Sequence, residues 1–169
     1  MDKTAVVWDA ATGEPRHVYA HHSAPVLDLD WAHPPAVGSG AAALLPPSDA
    51  SFAALATAST DKLVLVCSVV GGGSGSSSAS AAPSRTFVGH TDEVNTVRWA
   101  PRSASLLASG SDDSTVRLWS VGGDGAPPAG SVATLTGHKK AVYLVRWAPF
   151  GEDASRALSL ARCVRRGGG

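Results

Sequence analysis

The stretches that decide the fold are GHTDEVNTVRW at residues 89–99 and LLASGSDDSTVRLWS at residues 106–120. Polar and apolar residues alternate in the second half of each stretch, a pattern typical of half-buried β-strands rather than helices. The second stretch begins with the small apolar run LLASGS at 106–111, which supplies another short strand. Together the two stretches predict a unit of antiparallel β-sheet.

Both stretches recur along the chain. The block that begins with His returns as HSAPVLDLDW at 22–31 and HKKAVYLVRW at 138–147, with the same spacing from His to Trp. The block that begins with Asp returns as DKTAVVWD at 2–9 and STDKLVLVCS at 59–68, where Cys67 replaces the Trp. Self-similar blocks at this separation predict a repeat protein.

The composition limits the classes of protein that fit. The 169 residues are 44% hydrophobic and 17% charged, which is a globular balance. Lys and Arg number 14, as do Asp and Glu, so the positive field expected of a nucleic-acid-binding protein is missing. Cys67 and Cys163 lie far apart in a chain without a secretory signal or a run of ~20 apolar residues, which predicts a soluble protein of a reducing compartment.

A further short strand precedes each Gly-His, in SRTFVGH at 84–90 and SVATLTGH at 131–138, so each unit has four strands. The separation of His90 from His138 is close to the ~40–45 residues of a WD40 blade, and the chain resembles WD40 β-propellers. The predicted fold class is therefore all-β: a partial propeller with two complete four-stranded blades, one of them irregular, flanked by two half blades. The predicted units are the end of a blade at 1–21, a second blade at 22–89, a third at 90–137, the start of a fourth at 138–161 and a disordered or non-native tail at 162–169. Because propellers close with roughly 4–8 blades, the chain is expected to be a piece of a longer protein.

Two insertions enlarge the second blade, at 32–50 and 71–83. Both are rich in Gly, Ser, Ala and Pro, and we expect them to be disordered. Since antiparallel strands reverse direction at each turn, both insertions should emerge on one face of the blade. The opposite face should carry the His loops and the Asp turns.

His90, Ser109 and Asp113 of the third blade could suggest a Ser-His-Asp hydrolase. They recur in register with a fourth residue, Trp119. The matching positions of WD40 blades resemble a structural relay in which the indole donates to the hydroxyl, the hydroxyl to the imidazole and the imidazole to the carboxylate. Such a relay spares the fold unsatisfied buried groups that cost ~1–3 kcal/mol each. We therefore interpret these residues as structural and keep the hydrolase as a remote alternative.

The second blade has His22, Thr57 and Asp61 in the same frame, with Cys67 at the position of Trp119. One hydrogen-bond donor is lost there, so this blade is expected to hold together less firmly. Four other Trp residues are interpreted as packing between blades rather than as a base-stacking platform: Trp8, Trp31, Trp99 and Trp147.

No metal or cofactor is expected. The His and Cys residues lack the pair spacing of a metal site such as CxxC. The run GGGSG at 71–75 lacks the Lys-Ser/Thr pair and the helix of a phosphate-binding loop.

The order of the blades carries a closer resemblance. HHSAPVLDLDW, LATASTDKLVLVCSV with its Cys, GHTDEVNTVRWAP and GHKKAVYLVRWAPFG are similar to successive blades of the transducin-beta-like (F-box-like/WD repeat) corepressor subunits, over residues 2–150 apart from the insertions. The resemblance implies a non-enzymatic nuclear scaffold in transcriptional repression. It implies partners among corepressor and histone deacetylase subunits, with histone tails as a further partner, and no direct sequence-specific nucleic acid or membrane.

The open face offers candidate partner-binding residues: Asp92, Glu93, Lys139 and Lys140. Their opposite signs would suit a peptide of mixed charge. A generic WD40 adaptor in ubiquitin ligation or RNA processing shares every feature of the blades and stays the main alternative function.

Overall fold

The computed structural model describes residues 2–32, 52–70, 83–101, 105–121 and 131–147. Within these ranges the regular structure is β-strand, and no helix occurs that could cross a membrane. The strands in chain order are β1 Ala5–Trp8, β2 Pro15–Tyr19, β3 Val26–Trp31, β4 Phe52–Ser59, β5 Leu63–Val70, β6 Arg85–Val88, β7 Val94–Trp99, β8 Leu106–Ser111, β9 Val116–Ser120 and β10 Ser131–Leu135.

The strands form antiparallel sheets in which chain neighbours are also sheet neighbours. Strands β3 to β6 make one four-stranded sheet, which we call the irregular blade, and β7 to β10 make a second, the regular blade. Strands β1 and β2 pair as a two-stranded sheet, the half blade. The predicted fold class, an all-β partial propeller, is confirmed.

The two four-stranded blades share one register. Cys67 of β5 pairs with Leu55 of β4, and Trp119 of β9 pairs with Leu107 of β8. Cys67 therefore occupies in the irregular blade the place that Trp119 has in the regular blade.

The main hydrophobic core lies between the two four-stranded blades. Small and β-branched side chains suit the flat contact of two sheets. The buried members of this core are Ala56, Ala58, Val64, Val66 and Phe87 from the irregular blade, and Val94, Val97, Trp99, Leu107 and Trp119 from the regular blade. Each blade thus buries its apolar face on its neighbour, as stacked repeats require.

The other side of the regular blade packs against the segment that follows His138. Val142 and Val145 of that segment are buried against Ala108 and Val116. Gly110 allows this close approach, because a Cβ atom on it would lie 2.7 Å from Val142 Cγ1. A side chain at this position would push the segment away from the sheet.

The strand order separates the connections into two faces. The β4–β5 and β8–β9 turns lie at the same end of the sheets as the β6–β7 loop, and we call this end the turn face. The last residues of β3 and β5 and the first residues of β4 and β6 lie at the opposite end of the sheets. Residues 33–51 and 71–82, which hold nearly all of the two predicted insertions, are outside the described residues. Residues 148–161 of the predicted fourth blade and the predicted tail at 162–169 are outside them as well.

Candidate functional site

A chain of hydrogen bonds crosses the regular blade. The Trp119 indole Nε1 lies 2.7 Å from Ser109 Oγ. Ser109 Oγ lies 2.7 Å from His90 Nε2, and His90 Nδ1 lies 2.7 Å from Asp113 Oδ2. Strands β8 and β9 hold Ser109 and Trp119, while the loop before β7 and the turn after β8 bring His90 and Asp113 to them.

The protonation of His90 sets the direction of this relay. Burial lowers the pKa of His90 below its ordinary value of 6.5, although the hydrogen bond to Asp113 acts in the opposite direction. The ring is therefore neutral at neutral pH: Nδ1–H donates to Asp113, and Nε2 accepts the Ser109 hydroxyl proton. Ser109 Oγ in turn accepts the indole proton of Trp119, so these buried groups are all satisfied.

Asp113 anchors the turn-face end of the relay. Burial acts to raise the pKa of its carboxyl, but hydrogen bonds from the Thr115 hydroxyl, from His90 and from the backbone N–H groups of Thr91 and Thr115 outweigh burial and lower the pKa to about 2. The bond from Thr91 N measures 3.1 Å and the bond from Thr115 N measures 2.9 Å. One carboxylate thus ties the His90 loop to the β8–β9 turn.

The irregular blade builds the same motif without the indole. His22 Nε2 lies 2.8 Å from Thr57 Oγ1, and His22 Nδ1 lies 2.9 Å from Asp61 Oδ2. Asp61 also accepts the backbone N–H groups of Ser23 and Leu63. Although burial acts to raise the pKa of Asp61, the bonds from His22 and from these amides lower it overall.

The turns beside the two Asp residues share a strained conformation that the sequence analysis missed. Lys62 has φ 73° and Ser114 has φ 66°, in the left-handed region that residues other than Gly rarely adopt. Asp61 and Asp113 each accept the N–H group two residues on, the bond pattern of an Asx turn. The spacing of Asp from the following strand is the signal that could have predicted this turn.

Cys67 takes the position of the missing indole and is 1% exposed. It packs with Ala5, Tyr19 and Leu55. Burial raises the pKa of its thiol to about 11, so the thiol stays protonated at neutral pH. Tyr19 reaches across this region and its hydroxyl donates to Ser68 O at 3.4 Å.

The aromatic packing differs accordingly between the two blades. Phe87 lies beside Trp119 with ring centroids 5.2 Å apart, and the His90 ring meets Trp119 edge-on at 5.9 Å. Tyr19 stands three residues before His22, as Phe87 stands before His90. Cys67 of the irregular blade therefore lies beside the larger phenol of Tyr19 from the half blade, whereas Trp119 of the regular blade lies beside the phenyl ring of Phe87 from the irregular blade.

The Ser-His-Asp geometry in the regular blade resembles that of a hydrolase triad, but Ser109 is 0% exposed. Its oxygen is held between the indole N–H and the His90 ring. A nucleophile must reach a substrate carbonyl, and this hydroxyl is enclosed by its own blade. The arrangement supports a structural role for the relay.

The four candidate partner-binding residues all lie exposed on the turn face. Asp92 and Glu93 follow His90, and Lys139 and Lys140 follow His138. In addition, Lys62 donates to Thr91 O at 2.8 Å and so links the β4–β5 turn of the irregular blade to the His90 loop. The structure thus places acidic and basic side chains on neighbouring loops of one face.

The Trp residues at the end of the His-led blocks make hydrogen bonds that the sequence analysis did not predict. Trp99 Nε1 donates to Asp30 O at 3.2 Å, and Trp147 Nε1 donates to Arg98 O at 3.1 Å. Each acceptor residue stands directly before the equivalent Trp of the preceding blade. The indoles therefore join neighbouring blades through a repeated bond as well as through packing.

Trp8 departs from the prediction that it packs between blades, because it is 60% exposed. Its position is equivalent to that of Trp119, whose indole faces β8. In the half blade, no described strand pairs with β1 as β8 pairs with β9, so Trp8 has no neighbouring strand to pack on.

Within the described residues, no group of three or more His, Cys, Asp or Glu side chains is arranged to hold a metal.

Comparison with known proteins adds to this geometry. Residues 81–120 match the WD40 family, described as WD domain, G-beta repeat. The chain is 36% identical over 107 residues to F-box-like/WD repeat-containing protein TBL1X of Homo sapiens, a match that covers 63% of the chain and 14% of that protein. It is 36% identical over 103 residues to WD40 repeat-containing protein HOS15 of Arabidopsis thaliana, covering 61% of the chain and 12% of that protein.

A further relative, WD repeat-containing protein 26 homolog of Drosophila melanogaster, is 40% identical over 79 residues, which are 47% of the chain and 10% of that protein. The blades, the relay and the match at residues 81–120 together define the fold as a partial WD40 β-propeller. Within that class, the chain resembles the transducin-beta-like, F-box-like/WD repeat proteins. Its matches span only 10% to 14% of the length of these three relatives.

Proposed function

We propose that this chain is part of a non-enzymatic scaffold that binds protein partners through its turn face. The observation that carries the proposal is the pair of relays. His22 with Asp61, and His90 with Asp113, fix the loops of two neighbouring blades at the same end of the sheets. Rigid loops present side chains to a partner at little cost in conformational entropy, which favours binding.

The charges on the turn face suit a peptide of mixed charge. Asp92 and Glu93 are exposed on the loop that Asp113 anchors, and Lys139 and Lys140 are exposed on the next loop. Opposite charges on adjacent loops would steer and orient a peptide that carries both signs. On this proposal, the partner contributes any enzymatic activity and the propeller contributes its position.

The resemblance to the transducin-beta-like corepressor subunits supports a narrower proposal. In this narrower proposal the chain acts in the nucleus, in a corepressor complex that contains a histone deacetylase, with a corepressor subunit, a deacetylase subunit or a histone tail as partner. The unit boundaries at 22–89 and 90–137, with a further blade from 138, are kept as part of this proposal. The alternative, an adaptor in ubiquitin ligation or RNA processing, would use the same face with other partners.

The test is capture of partners from nuclear extract on the whole protein that contains this chain. One variant reverses the four candidate charges, with Asp92→Lys, Glu93→Lys, Lys139→Glu and Lys140→Glu. A control reverses Glu14, which is exposed in the β1–β2 turn at the end of the sheets opposite to the turn face. We expect a deacetylase and a corepressor subunit in the wild-type and Glu14→Lys captures, and a large loss of both in the fourfold variant.

Two results would contradict the proposal at different levels. Recovery of the same partners by the fourfold variant, together with loss on deletion of 33–50 and 71–82, would place binding on the face opposite to the turn face. Capture of ubiquitin-ligase or RNA-processing proteins by the wild-type protein, without a deacetylase, would replace the corepressor assignment by the adaptor alternative.

A further inference from the structure

Strand β7 has a free edge that faces the irregular blade. It is the last strand of its sheet, so its pairing with β8 leaves the other edge without a partner strand. Ala100 N–H donates to Leu106 O at 2.9 Å, which fixes the direction of this N–H toward β8. Since backbone groups alternate along a strand, the N–H groups of Val97 and Trp99 point away from the sheet.

Two carboxylates of β3 accept these outward N–H groups. Asp28 Oδ2 accepts Val97 N–H at 3.1 Å, and Asp30 Oδ2 accepts Trp99 N–H at 2.8 Å. The two acceptors lie two residues apart on β3, and the two donors lie two residues apart on β7, so the spacings match. The side chains of β3 therefore take the place that a neighbouring strand would have along this edge.

Asp28 holds both strands at once. Its second oxygen, Oδ1, accepts Leu29 N–H of its own strand at 3.0 Å. Leu29 pairs with Thr57 and Val97 pairs with Ser109, so the two amides occupy equivalent positions in successive blades. The Arg98 guanidinium lies 2.6 Å from Asp28 Oδ2 and balances its charge.

The next blade junction lacks these acceptors. Thr96 and Arg98 stand in the regular blade where Asp28 and Asp30 stand in the irregular blade. Thr96 Oγ1 is buried and has no hydrogen-bond partner. The segment that packs there, residues 141–147, forms only isolated bridges at Leu144 and Trp147 instead of a continuous strand.

We infer that Asp28 and Asp30 are the positioning residues of the blade junction: they select β7 as the neighbour of β3 and close its free edge. The two carboxylates bind the backbone amides of Val97 and Trp99, and Arg98 lies between these two residues. Open strand edges accept further strands, and the carboxylates occupy the donors such a strand would need. The Asp-Leu-Asp-Trp pattern at 28–31 thus specifies the order of blades.

Amide hydrogen exchange on the full 169-residue chain, read by nuclear magnetic resonance, tests this inference. In the wild type, Val97 and Trp99 should be protected to a degree similar to Ala100. Asp28→Ala should speed exchange of the Val97 amide by about tenfold and leave Trp99 nearly unchanged, and Asp30→Ala should do the reverse. Glu14→Ala, at an exposed position of the half blade, is the control and should alter neither amide.

The double change Asp28→Thr with Asp30→Arg copies the residues of the next junction and should expose both amides. If both alanine variants speed all the amides of β7 equally, the two carboxylates act through general stability and the specific pairing is wrong. If Val97 and Trp99 already exchange as fast as open loop amides in the wild type, the inference is overturned whether or not the variants fold.

Discussion

The regular and irregular blades share a backbone register and a His-hydroxyl-Asp relay, but only the relay of the regular blade includes a Trp. In the regular blade Trp119 donates to Ser109, and the indole also packs against Phe87. In the irregular blade Cys67 fills the same position, and Thr57 keeps its bond to His22. In both blades the His, hydroxyl and Asp residues are therefore joined by hydrogen bonds, and the Trp joins this set only in the regular blade.

The irregular blade is adapted to its smaller residue. Tyr19, from the half blade, lies in the cluster around Cys67, and its hydroxyl bonds to the chain beside that residue. Compared with the regular blade, Cys67 is smaller than Trp119 and Tyr19 is larger than Phe87. The two differences partly offset each other in volume and keep the interior filled, as close packing requires. The two sites should therefore respond differently to the same kind of substitution.

Removing the indole should produce the largest effect. Trp119→Ala deletes a side chain that is 1% exposed, together with its donor, and should lower the free energy of unfolding by about 3–5 kcal/mol. Cys67→Ala removes only a thiol and should cost about 1 kcal/mol. Urea denaturation followed by tryptophan fluorescence and circular dichroism gives both values. Equal losses would mean that the two positions are energetically alike.

Introducing the Trp of the regular blade into the irregular blade should also destabilise the protein. Cys67→Trp inserts an indole where Tyr19 and Leu55 already fill the space, and should cost about 1–3 kcal/mol by overpacking. Tyr19→Phe in the same chain copies the Phe87–Trp119 pair and should recover part of that loss. A Cys67→Trp variant as stable as the wild type would show that the irregular blade holds unused space.

Acidification should weaken the regular blade in two stages. Since the pKa of His90 is lowered in the folded state, protonation of the unfolded chain below pH 6.5 draws the equilibrium toward unfolding. The pKa of Asp113 is also lowered, to about 2, so its contribution is lost as the pH falls from 3.8 toward that value. With solvent screening, the Asp113 stage should amount to about 1–2 kcal/mol.

Unfolding free energies measured in urea from pH 8 down to about pH 2 check this dependence. Asp113→Asn is the control: it should be less stable than the wild type at pH 7 and should lose less stability below pH 4. A wild-type protein that gains stability on acidification would contradict the assigned protonation states.

The smallest expected loss of stability comes from a substitution that removes the hydrogen-bond donor of Trp119 but keeps most of its packing. Trp119→Phe keeps much of the apolar area but removes the N–H that bonds to Ser109, and should cost about 1 kcal/mol. The same urea experiment measures it. No loss of stability would show that the indole bond contributes nothing to the blade.

Much of the fold can be predicted from the sequence, because polar and apolar residues alternate clearly in the repeated blocks and the blocks align with one another. The recurrence of the blocks singles out His90, Ser109, Asp113 and Trp119, and the resemblance to WD40 blades predicts a relay among them. The pairing of Asp28 and Asp30 with backbone amides of β7 was not, because it depends on how one blade sits on the next. The exposure of Trp8 was also missed, since a repeated position has a partner only where the neighbouring strand is present.

Two double-mutant cycles test the central claim, that the regular blade has a complete relay and the irregular blade a shortened one. One cycle combines Ser109→Ala with Trp119→Phe, and the other combines Thr57→Val with Cys67→Ala, each scored by the free energy of unfolding. We expect a coupling energy of about 1 kcal/mol in the regular blade and less than about 0.3 kcal/mol in the irregular blade. Equal coupling in the two blades, or none in the regular blade, would contradict this difference between the relays.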